Sequence, residues 1–291
     1  ELENSSRLTN ATSELVTHAR AIGAIVNVGL IGDREAGSDA VAMGADRVYV
    51  LGGQALREGG RDAELQAYEA LCKETKPAAI LLAKTDSSSE LGPRLAARID
   101  AALAQDCTEI NLDPNDTLTI TRPVYGGNAV AEFSLPDDLT SIIILRSKSS
   151  DPMELDHTKN GEIIEMMPNI NPTLLRVKSI KKKEEPAVGI RLEDAKVVVS
   201  GGRGLGGPDP FNQLQDLAKA LGGAVGASRA ACDAGWIDHA FQVGLTGKTI
   251  TPNLYIAVGI SGASQHMAGC SGAKNVVAIN RDESANIFKD S

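Results

Sequence analysis

Three short segments in the last third of the chain carry the residue types that handle a phosphorylated ligand. The run Leu254-Tyr-Ile-Ala-Val-Gly-Ile260 passes into Ser261-Gly-Ala-Ser-Gln-His266, Lys196-Val-Val-Val199 into Ser200-Gly-Gly-Arg-Gly204, and Asn275-Val-Val-Ala-Ile279 into Asn280-Arg281-Asp282. Each reads as a buried strand that ends where a helix or loop begins. At such a junction free backbone N–H groups face the ligand, and small side chains let a phosphate approach. Three strand ends carrying Gly, Ser, Arg, His and Asn predict a cofactor site.

Each candidate also has a plainer reading. Arg203 stands among Gly201, Gly202, Gly204, Gly206 and Gly207, so its guanidinium can fork onto phosphate oxygens or simply be solvated on a surface loop. Ser228 and Arg229 lie in Ala224-Val-Gly-Ala-Ser-Arg-Ala230. Arg229 can rest against a planar ring, or pair with Asp233 or Asp238 as a structural bridge. Thr246, in Gln242-Val-Gly-Leu-Thr-Gly247, offers a hydroxyl that donates or accepts, although by itself the segment is a turn. His266 falls in the first turn of a helix, where histidines are commonly structural. Its place after the glycine-rich junction lets the imidazole reach an anionic ring oxygen.

Other chemistries find little support. His18, His157 and His239 show no paired metal-ligand spacing, and Cys72, Cys107, Cys232 and Cys270 include no CxxC pair, so no metal site is expected. Nothing sets a base beside a nucleophile, so no catalytic residue for bond-making or hydrolysis is expected. A formal net charge of -9 argues against nucleic acid or an acidic membrane surface as partner, since both demand a basic stripe. No apolar run approaches the ~20 residues that span a bilayer, and no signal peptide opens the chain, so the expected setting is a reducing cytoplasm or organelle matrix.

The elements that position these residues follow from pattern. At 291 residues, 42% hydrophobic and with 29 glycines, the chain fits two compact α/β domains with many tight turns. Aromatics are only 3%, so the cores are built from Ala, Val, Ile and Leu. Helical spacing at 9–22, with Thr9 or Asn10 as cap, is followed by a strand at 24–31, a short helix at 38–43 and a strand at 47–51. Helix at 63–74, strand at 78–83 and helix at 90–104 continue the alternation, which predicts a parallel sheet. From Cys107 onward the pattern turns to strands without helices: Leu118-Thr-Ile-Thr121, Ala129-Val-Ala-Glu-Phe133 and Ser141-Ile-Ile-Ile-Leu145. With Tyr125-Gly-Gly-Asn128 as a hairpin turn, they predict an antiparallel extension of the first domain. Thr173-Leu-Leu-Arg-Val177 is expected to add a strand, and Lys181-Lys-Lys-Glu-Glu-Pro186 to be a solvated linker. The expected domains are 1–185 and 186–291, the second alternating strand and helix again, with its clearest helix at 212–221.

Several motifs in the second domain look like those of electron-transfer flavoprotein alpha subunits. They are Val199-Ser-Gly-Gly-Arg-Gly204, Ala224-Val-Gly-Ala-Ser-Arg-Ala-Ala231, Asp233-Ala-Gly235, Gln242-Val-Gly244, Thr246-Gly-Lys248 and Leu254-Tyr-Ile-Ala-Val-Gly-Ile-Ser-Gly-Ala263, continued by Gln265-His266 and Val277-Ala-Ile-Asn280. The resemblance is dense over the second domain and rests mainly on layout in the first. It implies a Rossmann-like first domain contacting a beta subunit and a flavodoxin-like second domain holding FAD. The implied role is one-electron transport between an acyl-CoA or hydroxy-acid dehydrogenase and a downstream acceptor, in an ordinary carrier or an electron-bifurcating complex.

By motif, the resemblance implies FAD contacts at Arg203, Ser228, Arg229, Val243, Gly244, Thr246, Ser261, Gly262, Ala263, Ser264, Gln265, His266 and Asn280. It implies that Arg229 faces the flavin, that the Thr246 hydroxyl meets flavin N5, and that His266 lies near flavin O2. Positive charge and donors there suit a ring on which negative charge develops. Leu245 departs from the glutamine common in the family, and the missing first strand and final helix predict further sequence at both ends. The rival from another class is a flavin-free scaffold subunit that binds an adenine nucleotide and docks a partner.

Overall fold

The computed structural model describes residues 2–4, 7–23, 25–125, 129–146, 150, 153, 155–177 and 190–291. The chain divides into two units, the first made of Glu1–Val124 and Ala129–Lys182 and the second chiefly of Lys183–Ser291. The expected boundary at 185/186, the charged run before it and residues 126–128 of the expected hairpin turn lie outside the described residues.

The first unit opens with β1 (Leu2–Asn4) and β2 (Arg7–Leu8), a short antiparallel pair ahead of α1 (Asn10–Ala21). It continues with β3 (Asn27–Ile31), α2 (Arg34–Met43), β4 (Arg47–Leu51), α3 (Gln54–Glu58), α4 (Gly60–Thr75), β5 (Ala79–Ala83) and α5 (Asp86–Ile99). After these come β6 (Ala102–Cys107), β7 (Glu109–Leu112), β8 (Leu118–Val124), β9 (Ala129–Ser134), β10 (Ser141–Leu145) and β11 (Glu162–Met166). Strands order as β5-β10-β6 and β11-β4-β3, both parallel, and as an antiparallel β7-β8-β9. Local chemistry sets the helix starts. Thr9 accepts from the Thr12 N–H at α1, Asp33 from Ala36 at α2, and Thr85 exchanges hydrogen bonds with Ser88 as a capping box at α5.

Three expectations are corrected here. The helix expected to run to Ala104 stops at Ile99, because Asp100 turns left-handed at φ 53° and the alanines after it enter β6. Ser141–Leu145 is no part of an antiparallel extension, since it pairs parallel with β5 and β6 as the central strand and all five residues are buried. An unbroken Ile-Ile-Ile-Leu run belongs where both faces are covered, whereas β8 and β9 form the antiparallel pair. Thr173–Val177 forms no strand. Pro172–Leu174 is a 3₁₀ turn, and the N–H groups of Arg176 and Val177 donate to the buried carboxylate of Asp62, which also receives Arg94. Those donors hold the Asp62 carboxyl below its ordinary range, Arg94 first.

The second unit is one parallel sheet. It runs β12 (Val197–Gly201), α6 (Pro210–Ala220), β13 (Ala224–Ala227), α7 (Arg229–Asp233), β14 (Leu254–Val258), α8 (Ser264–Met267) and β15 (Val276–Ile279), with strand order β13-β12-β14-β15. In order of appearance that is 2-1-3-4, the flavodoxin-like winding. Alternate residues feed two cores: Val198, Tyr255 and Ala257 pack with Ile250 and Ile287 on one face, while Val199 and Val225 pack with Phe211 and Leu214 on the other. Because the chain leaves β12 first toward β13 and then returns to its other side at β14, a crevice opens at the carboxyl ends of these two strands.

Candidate functional site

A cleft of about 700 Å³ occupies that crevice. Arg203 and Gly204 line it after β12, Ser228, Arg229, Ala230 and Asp233 after β13, and residues 243–246 from the loop that follows. Gly259, Ile260, Ser261, Ala263, Gln265 and His266 enter after β14, and Asn280, Arg281, Asp282 and Ala285 after β15. The floor is backbone packed on backbone. Gly202 donates to Val258 O and Gly204 to Gly259 O, both at 2.9 Å, and a Cβ at Gly202 would lie 2.3 Å from the Gly259 carbonyl oxygen. Only glycine allows the two loops to meet this closely.

Eleven of the thirteen residues named from sequence line the cleft, and Gly262 and Ser264 do not. Gly262 is buried behind it, where a Cβ would meet the Ile287 backbone nitrogen at 2.3 Å. Ser264 is exposed, with its hydroxyl turned to Gln265 at 3.4 Å. Asn280 lines the cleft but uses its amide to tie two loops, donating to Ile260 O at 2.9 Å and accepting from the Asp282 N–H at 3.1 Å. Arg229 borders the cleft and, of the two aspartates considered, pairs with Asp233 rather than Asp238, at 3.4 Å. The thirteen leave out nine lining residues: Gly204, Ala230, Asp233, Leu245, Gly259, Ile260, Arg281, Asp282 and Ala285. Arg281 and Asp282 carried a usable signal, because they directly follow a strand that ends beside the glycine-rich junctions.

Charge and hydrogen-bonding capacity in the cleft are incompletely used by the protein. Arg203, Arg229 and Arg281 face Asp233 and Asp282, an excess of positive charge, and among the described residues Arg203 and Arg281 have no salt-bridge partner. Ser228 precedes α7 without capping it, and its buried Oγ has no hydrogen-bond partner among the described residues. The Thr246 Oγ accepts from Gln242 Nε2 at 3.0 Å, so its own proton is free to donate. Leu245, an apolar residue 68% exposed, borders the same space. Unused donors, excess positive charge and an uncovered apolar side chain fit a large ligand with anionic phosphates and a flat polar-edged ring.

His266 is buried, with Nε2 2.7 Å from the Tyr255 hydroxyl and Nδ1 without a hydrogen-bond partner among the described residues. Burial lowers its pKa to about 4. At neutral pH the ring is therefore uncharged and brings no cation to the cleft that it lines. The same burial couples stability to acid. The folded pKa lies below the unfolded value near 6.5, so the unfolded chain binds the extra proton first, and stability falls as pH drops from 6.5 toward 4. At pH 5 the cost relative to pH 8 is about 2 kcal/mol. Trp236, the sole tryptophan, packs in the second unit, so urea unfolding of the ligand-free protein followed by its fluorescence reads this unit. His266→Gln should flatten the decline between pH 8 and 5, and an equal decline in wild type and variant refutes the assignment.

Among the described residues no three His, Cys, Asp or Glu side chains gather as metal ligands, and no helix is long and apolar enough to cross a membrane. Compared with known proteins, residues 191–271 match the family model described as the electron transfer flavoprotein FAD-binding domain, and residues 1–170 match the electron transfer flavoprotein domain. The chain is 41% identical over 293 residues to an electron transfer flavoprotein subunit alpha of Thermoanaerobacterium thermosaccharolyticum, covering 99% of this chain and 89% of that one. It is 39% identical to the protein of the same description from Megasphaera elsdenii, covering 97% and 86%. It is 36% identical to Protein FixB of Clostridium saccharobutylicum, covering 99% and 87%.

Proposed function

Because the chain belongs to the electron transfer flavoprotein alpha-subunit family, a family that binds FAD and carries electrons, we propose that the cleft at the β12–β14 switch point is where it holds FAD. When bound, FAD supplies a ring that accepts and releases electrons one at a time. The protein's part is to bind, orient and electrically bias that ring. Arg203 and Arg281, each without an ion-pair partner among the described residues, suit the pyrophosphate, and the glycine floor lets it approach the backbone. Arg229, Thr246 and His266 are assigned to the redox ring. Arg229 brings positive charge, Thr246 a free hydroxyl proton and His266 an uncharged imidazole, where negative charge develops on reduction. Ser228, Val243, Gly244, Ser261, Ala263 and Gln265 complete the wall, and Gly262, Ser264 and Asn280 hold its shape.

The observation that carries this reading is the convergence, at one switch point, of excess arginine with two buried polar atoms that have no hydrogen-bond partner among the described residues, Ser228 Oγ and His266 Nδ1. A beta subunit and flavin-containing dehydrogenases are the partners of such a carrier, and an acyl-CoA or hydroxy-acid dehydrogenase is the proposed electron donor. In that role the chain works in the cytoplasm, or in the mitochondrial matrix of a eukaryote. Purified with its partner subunit, it should show flavin absorption and release FAD on denaturation. Candidate dehydrogenases with their substrates should bleach that absorption. A colourless complex that takes up adenine nucleotide but no added FAD would instead support the scaffold reading.

A further inference from the structure

The donor role of Thr246 is set from behind the cleft. Gln242, only 5% exposed, donates through Nε2 to Thr246 Oγ1 at 3.0 Å, while its Oε1 meets Nδ1 of His239 at 3.0 Å. Oε1 can only accept, so Nδ1 must carry a proton in this contact. The opposite nitrogen of His239 stands 3.7 Å from Asp233, whose other oxygen is 3.4 Å from Arg229. Arg229, Asp233, His239, Gln242 and Thr246 thus lie in one row, and two of its three inner members, His239 and Gln242, do not line the cleft.

We propose that His239 is a positioning residue which, by holding Gln242 Oε1, fixes the Gln242 amide with its donor toward Thr246, so that the Thr246 proton is left to point into the cleft. The inference rests on the assignment of Thr246 to the redox ring. A hydroxyl has one proton. With an amide N–H on its oxygen, that proton has nowhere better to go than the ligand. Release Oε1 from His239 and the amide is free to turn over. Oε1 then accepts the Thr246 proton, and the ring loses a donor just where charge accumulates.

The test is a redox titration of the FAD-loaded complex in wild type, His239→Leu, His239→Asn and Gln242→Met, with FAD affinity measured alongside. Asparagine places a donor nitrogen near the position of Nδ1, whereas leucine removes it. His239→Leu should disfavour the first electron about tenfold, ~59 mV for a one-electron couple, with FAD affinity changed less than that, whereas Gln242→Met, which leaves no amide oxygen to take the Thr246 proton, should shift it much less. His239→Asn should match wild type. An unmoved potential in His239→Leu overturns the proposal, as does a Gln242→Met shift as large as that of His239→Leu, or equal shifts in His239→Leu and His239→Asn. A wild-type complex that binds no FAD overturns the site assignment itself, and is told apart because it fails before any variant is made.

Discussion

Gly259→Ala is expected to lower the stability of the second unit by about 3 kcal/mol and to weaken FAD retention more than about a hundredfold. Gly259 has φ +65°, where an L-residue is strained, and a Cβ there would lie 2.9 Å from both Gly204 C and Leu205 N. The left-handed conformation costs about 1–2 kcal/mol and the overlap about 1–3 more, because the obstacle is backbone and cannot swing away. Relief of the overlap must separate the β12 and β14 loops, which breaks the Gly204 N–H to Gly259 O bond and spreads the floor on which the phosphates are proposed to rest. Gly207→Ala is the control, since a Cβ at Gly207 meets nothing within 4 Å and its φ is not left-handed. Trp236-monitored urea unfolding and equilibrium dialysis of FAD check the two effects. A Gly259→Ala protein that keeps wild-type stability and affinity would show that loop proximity is not what builds the site.

The loops around Gly204 and Gly259 were legible in the sequence for the same reason that they are sensitive. A strand end followed by Gly and Ser is a local pattern, and each of the three such ends supplies residues to the cleft. What stayed hidden depends on distant partners. Nothing local in Ser141-Ile-Ile-Ile-Leu145 says that it inserts between β5 and β6, because its neighbours come from 79–83 and 102–107. β6 was masked by the alanines after Asp100, good helix formers that only a left-handed residue diverts. The Asp62 clasp on Arg176 and Val177 spans more than a hundred residues and replaced an expected strand. At the site, His239 had no readable role, because its partner Gln242 is identified only once the chain between them folds into a 3₁₀ turn. His266 was legible as a cleft residue but not as an uncharged one. Its neutrality comes from burial beside Tyr255, a residue of the strand rather than of the junction.

Arg229→Ala is expected to lower the one-electron potentials of bound FAD by about 80 mV. A unit charge ~4 Å from the ring is worth about 4 kcal/mol at an effective dielectric of 20. Arg229 does not deliver all of it, because its side chain is 68% exposed and Asp233 stands 3.4 Å from it as a counter-charge. Taking roughly half as what remains gives ~2 kcal/mol, and 1.4 kcal/mol corresponds to ~59 mV for one electron. The exposed pair itself adds under about 1 kcal/mol to folding, so Trp236-monitored stability should barely move and a changed potential cannot be blamed on misfolding. Arg229→Lys keeps the charge without the planar fork and should retain most of the wild-type potential. Asp233→Asn removes the counter-charge and should shift the potential the other way, upward. Spectroelectrochemical titration of the three variants therefore gives a signed pattern: down, nearly unchanged, up. Arg229→Ala at the wild-type potential, with FAD still bound, means that the guanidinium does not face the ring.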